Sequence, residues 1–89
     1  MTHEQLRMFL AVAEQGSFRS AARAVAKTQP SVSAAVRALE HEFDLELFDR
    51  SGYRPTLTVQ GQTFYRRARA VAREFASLEA LARQLATGV

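Results

Sequence analysis

Eighty-nine residues make one small domain, near the size at which a single hydrophobic core is only just sufficient and help from a partner is common. Cysteine is absent, which excludes disulfides and thiolate metal sites; His3 and His41 lack ligand spacing, and no apolar run reaches the roughly 18 residues of a membrane span. No signal-peptide pattern follows Met1, so a soluble cytoplasmic chain is expected, and the net charge of +3 is segregated into blocks in a way that points one surface toward a polyanion.

Thr2 and Gln5 have capping-box spacing, with Met1 and Leu6 placed as the accompanying hydrophobic staple. Leu6, Phe9, Leu10 and Ala13 then form the buried stripe of a first helix that ends near Gln15-Gly16. Ser17 caps a second helix from Phe18 to about Ala26, whose Ala21 and Ala22 permit close approach of a neighbour. About three residues later, Thr28-Gln29-Pro30 opens a third helix with proline in its first turn. Two short helices joined so tightly must cross steeply, which is helix-turn-helix geometry. Val32, Val36, Leu39 and Phe43 share one stripe of the third helix, while Pro30, Ser33, Ala34 and Arg37 lie opposite. An apolar underside with a compact, partly cationic upper face suits a DNA major groove; an ordinary amphipathic helix is the alternative.

Charge changes sign along this stretch. Gln15 to Leu39 carries Arg19, Arg23, Lys27 and Arg37 without an acid, whereas Glu40, Glu42, Asp44, Glu46 and Asp49 cluster without a lysine or arginine. A solvated acidic surface explains this cluster better than paired acid–base catalysis. Asp44 to Arg50 and Pro55 to Thr58 are β-prone segments around Ser51-Gly52, hence a hairpin with arginines near its tip. Behind a helix-turn-helix such a hairpin is a wing, placed to reach phosphates or a narrow minor groove; a structural hairpin with solvated arginines is the alternative.

From Thr58 onward Phe64, Ala68, Val71, Phe75, Leu78, Ala82 and Leu85 recur as a heptad seam. The pattern predicts one helix of about 28 residues, about 42 Å long. So long a seam calls for a second chain, although packing within its own chain is the alternative. Arg66, Arg67, Arg69 and Arg73 in the first half against Glu74, Glu79 and Arg83 in the second favour antiparallel pairing, weakly, because exposed charges contribute little each.

Phe9-Leu10-Ala11-Val12-Ala13-Glu14-Gln15-Gly16-Ser17-Phe18, Ala21-Ala22, Thr28-Gln29-Pro30-Ser31-Val32-Ser33, Leu39-Glu40, Leu47-Phe48-Asp49-Arg50 and Leu57-Thr58 with Gly61 occur in this order and spacing. Together they closely resemble the amino-terminal domain of LysR-type bacterial transcriptional regulators, over essentially the whole chain. The resemblance implies a mainly α fold: a winged helix-turn-helix of three helices and a short β-hairpin wing over residues 1–57, then a long linker and dimerisation helix over 58–89. It implies that Gln29, Pro30, Ser31, Ser33 and Ala34 approach base edges, that Ser17 and Thr28 bind phosphate at helix starts, and that Arg37 binds phosphate or a base. Arg50, Tyr53 and Arg54 would belong to the wing, and Phe64, Ala68, Val71, Phe75, Leu78, Ala82 and Leu85 to an antiparallel homodimer. Members normally carry a larger effector-binding domain, so the chain is expected to be the DNA-binding fragment of a longer, cytoplasmic, nucleoid-associated regulator.

Two positions depart from the family pattern. Ala34 stands where a long polar or basic side chain is common, which shifts specificity toward Gln29, Ser33, thymine-methyl packing and DNA shape. Asp44 replaces a helix-terminating glycine, so either it adopts a left-handed conformation at a cost of roughly 1 kcal/mol or the helix end is shaped differently. The expected activity is sequence-specific binding of double-stranded DNA by a homodimer, with no catalytic residues, cofactor, metal or membrane partner. The competing reading is a coiled-coil interaction module whose arginines serve solubility.

Overall fold

A computed structural model describes residues 1–88. Four helices and one two-stranded antiparallel sheet follow in the order α1 (His3–Gln15), α2 (Phe18–Val25), α3 (Gln29–Glu42), β1 (Phe48–Asp49), β2 (Thr56–Leu57) and α4 (Val59–Ala86). Each helix start is written locally. Thr2 accepts from the Gln5 amide and Gln5 accepts from the Thr2 amide, both at 3.0 Å, completing the capping box of α1. Ser17, Thr28 and Thr58 cap α2, α3 and α4 by accepting from the amides of Ser20, Ser31 and Gly61. These hydroxyls satisfy donors that no helical carbonyl reaches.

The helix ends use left-handed residues. Gly16 closes α1 at φ +77°, a region glycine enters freely. Ala26 closes α2 at φ +57° and Asp44 follows α3 at φ +51°, each at a cost of roughly 1 kcal/mol for a side-chain-bearing residue. Asp44 therefore takes the left-handed conformation, and the reversal lets the Leu45 amide donate to the Glu40 carbonyl at 2.9 Å. Because the chain turns here, Phe43 leaves the expected buried stripe and is half exposed. Val32, Val36 and Leu39 are fully buried, as their spacing predicts. The stripe's remaining place goes to Glu40, one helical turn beyond Val36, which is buried and is not part of a solvated acidic surface.

The core is organised around α1, which contacts α2, α3 and α4. Phe9 is fully buried, with ring centroids 5.4 Å from Phe48 in the wing strand and 5.1 Å from Phe64 in α4. Each fully buried side chain of this kind contributes roughly 1.5–3 kcal/mol. Ala21 and Ala22 are buried on the face of α2 that packs against this core. Phe48 pairs with Leu57 and Asp49 with Thr56, which sets the register of the hairpin.

Helix α4 is 28 residues long, as the seam predicts, and stretches the molecule to 51 Å along its longest axis. Its two halves differ. Gly61 and Ala68 are buried in this chain's own core, and Phe64, Tyr65 and Ala72 pack against it. Phe64 and Ala68, expected in a seam between chains, thus serve the intrachain core, because α1 lies alongside the start of α4. Val71, Phe75, Leu78, Leu81 and Leu85 are exposed. At the boundary the His3 ring stacks on Phe75, centroids 3.8 Å apart and 11° from parallel.

Candidate nucleic-acid interface

Helices α2 and α3 present their N-terminal turns to the same side of the molecule as the hairpin. Ser17, Phe18, Arg19 and Ser20 from α2, Gln29 from α3, and Tyr53, Arg54 and Pro55 from the wing line one open cleft. Helix starts carry partial positive charge and amides that suit phosphate oxygens. Arg19 and Arg54 add two full charges, and Tyr53 is completely exposed. Four expected site residues from three separate segments (Ser17, Gln29, Tyr53 and Arg54) are thereby brought together.

The rest of the outward face of α3 continues from this cleft. Gln29, Pro30, Ser31, Ala34 and Arg37 are exposed and Ser33 is half-buried, so the face opposite Val32 and Val36 is open to a ligand. Thr28 is exposed but already engaged: its hydroxyl donates to Ser31 Oγ at 2.8 Å while accepting from the Ser31 amide at 3.2 Å. Ser31 Oγ accepts that bond and keeps its own proton to donate.

Arg50 is placed differently from Arg54. Its Nη2 donates to Glu40 Oε1 at 3.1 Å, and its guanidinium carbon lies 5.2 Å from the centre of the Phe18 ring. Asp49, beside it, has its carboxyl held below the usual range by the Ser51 hydroxyl and then by the Ser51 amide, bonds of 2.6 and 2.9 Å that shape the hairpin turn. Sequence reasoning missed Arg19 and Ser20 as cleft residues, although the position of Arg19 two residues after a cap in an acid-free block was a usable signal. It also missed Glu40, whose spacing of four from buried Val36 placed it on the apolar face.

Among the described residues no group of His, Cys, Asp or Glu side chains could hold a metal ion, and no helix is long and apolar enough to cross a membrane. Comparison with known proteins decides the family. The family model for bacterial regulatory helix-turn-helix proteins of the lysR family matches residues 3–62.

The chain belongs to the LysR family.

Among its relatives, the HTH-type transcriptional regulator AceR of Acinetobacter baumannii is 37% identical over 89 residues, which is 100% of this chain and 30% of AceR. A probable RuBisCO transcriptional regulator of Cyanophora paradoxa is 43% identical over 63 residues, 71% of this chain and 19% of that protein. The chain thus spans less than a third of the length of these relatives. The DNA-binding domain of BenM, solved in complex with benA site 1 DNA, superposes with a TM-score of 0.91 at 29% identity, covering 100% of both chains. The DNA-binding domain of CbnR in its DNA complex gives 0.86 at 31% identity, covering 97% of this chain and 99% of that one. This LysR-family chain is a winged helix-turn-helix DNA-binding domain, and its relatives are transcriptional regulators, not enzymes.

Proposed function

We propose that this LysR-family domain binds double-stranded DNA sequence-specifically as a homodimer within a bacterial regulator. The observation that carries the reading is the single cleft in which the starts of α2 and α3 meet the wing. In this reading α3 enters the major groove. Gln29 offers a bidentate amide to a base, Pro30 and Ala34 pack against thymine methyls, and Ser31 and Ser33 hydrogen-bond to base edges. Arg37, one turn farther on, reaches phosphate or a base. Ser17 and Thr28 hold phosphates at the helix starts, Thr28 exchanging its bond to Ser31 for one to an oxygen. Tyr53 and Arg54 lie against the backbone or the minor groove.

The exposed residues Val71, Phe75, Leu78, Ala82 and Leu85 supply the dimer contact, with the arginine-rich half of α4 opposite the more acidic half of an antiparallel partner. An unpartnered apolar stripe of this length supports the assignment. The dimer places two copies of α3 so that they read an inverted repeat.

Selection of binding sites from a randomised duplex library tests the proposal. Enrichment of an inverted repeat with half-sites about one helical turn apart is the expected result. Salt-sensitive binding without enrichment would remove Gln29 from its base-reading role. Self-association without DNA binding would make the chain an interaction module. Gln29→Ala is expected to cost about 1–3 kcal/mol of discrimination at one base position, whereas Arg54→Ala weakens binding to all sequences alike.

A further inference from the structure

Among the described residues Glu40 is the one buried charged side chain, and the base-reading and dimer contacts leave it without a task. Its oxygens are divided between targets. Oε2 accepts from the amides of Leu47 at 2.8 Å and Phe48 at 3.3 Å, and Oε1 accepts from Arg50 at 3.1 Å. All three donors lie where the chain enters the wing through β1. Arg50 then carries the connection to Phe18, the first residue of α2, over whose ring its guanidinium sits. One carboxylate therefore ties the last turn of α3 to the base of the wing, and one arginine extends the tie to the start of α2.

We infer that Glu40 and Arg50 form a clamp that fixes the wing against the recognition helix, and that Arg50 is a positioning residue acting through Arg54, not a phosphate ligand. The inference rests on the wing's contact with DNA proposed above. A guanidinium that left Glu40 for a phosphate would strip a buried carboxylate of the one full countercharge it has among the described residues, a costly exchange in a low-dielectric site. Arg54 has no such commitment: it is exposed at the cleft, with no ion pair among the described residues. Its place follows from the pairing of β2 with β1, and β1 begins at the Phe48 amide that Glu40 holds.

The test titrates labelled mixed-sequence duplex DNA with the 89-residue chain and with Arg54→Ala, Arg50→Met and the double variant, at several salt concentrations, each variant first checked for a cooperative melt. Arg54→Ala is expected to weaken binding about fivefold and to lower the salt slope by about one. Arg50→Met is expected to do the same. The double variant should fall within about twofold of either single one and lose about one from the slope, because both changes remove a single contact. Losses that multiply, with the slope falling by about two, overturn the inference and make Arg50 a phosphate ligand. Arg54→Ala without any effect removes the wing contact itself, and the inference falls with it.

Glu40→Gln provides a second readout that does not depend on Arg50→Met folding. It keeps an acceptor for the two amides and releases Arg50. A clamp predicts weaker DNA binding despite the loss of one negative charge. A directly contacting Arg50, freed of its carboxylate, predicts tighter binding and would overturn the clamp.

Discussion

The two halves of α4 carry the same heptad spacing and meet opposite fates. Toward its start the helix lies along α1 and buries Gly61 and Ala68 in the core of its own chain, while Val71 is exposed, Phe75 is covered on one side by His3, and Leu78, Leu81 and Leu85 face solvent. The contrast teaches that periodicity identifies which residues require a partner but not which partner they receive. That is decided by where α1 stops. Near this boundary His3, the first residue of α1, stacks on Phe75.

Four variants can break or sharpen this contrast. The largest effect is expected for Gly61→Ala in the packed half. A Cβ there would collide with the Leu47 carbonyl oxygen, and that carbonyl is held in place because it accepts from the Thr58 amide at 3.0 Å. A loss of about 3 kcal/mol or more is expected in thermal or urea denaturation, and a near-native melt would mean that α4 is not seated as described. Phe64→Ala comes next. Phe64 is half-buried and edge-on to Phe9, so truncation should cost about 2 kcal/mol, below the range for a fully buried ring.

His3→Ala tests the boundary itself. Removing an exposed stack should cost about 0.5–1 kcal/mol, and a larger value would extend the packed half beyond Phe75. The smallest effect on stability belongs to the bare half. Leu78→Ala combined with Leu85→Ala should change the stability of the dilute chain by less than about 0.5 kcal/mol. The same pair should weaken self-association about tenfold in sedimentation equilibrium. A substantial loss of stability at low concentration would show that these leucines are covered within the chain after all.

What was legible in the residues was chiefly what is local. Thr2 with Gln5, Gly16, Ser17 and Thr28 fix helix ends through contacts three or four residues away, and all of them act where their spacing puts them. Gln29, Tyr53 and Arg54 were identifiable as cleft residues because the family motif spans the segments that fold brings together. Less legible were features set by tertiary packing. Phe43 continues the stripe on paper but sits where α3 has already ended, and Asp44 turns the chain before its ring can pack. Phe64 and Ala68 could not be divided from Val71 and Phe75 without knowing that α1 lies against them. Glu40 among four other acids resembled solvated charge, since its partners lie seven to ten residues onward and two of them are backbone amides, which leave no mark in composition.

The seat of Gly61 on Leu47 has a mechanical consequence. Leu47 is held at both ends: its amide by Glu40 at the end of α3, and its carbonyl by Thr58 at the root of α4. Helix α4 is a rod about 42 Å long, so tilting it by about 5° about that root sweeps Ala86 through about 4 Å. Any such tilt bears on Leu47, the residue whose amide donates to Glu40 of α3 and whose carbonyl accepts from Thr58 at the root of the rod.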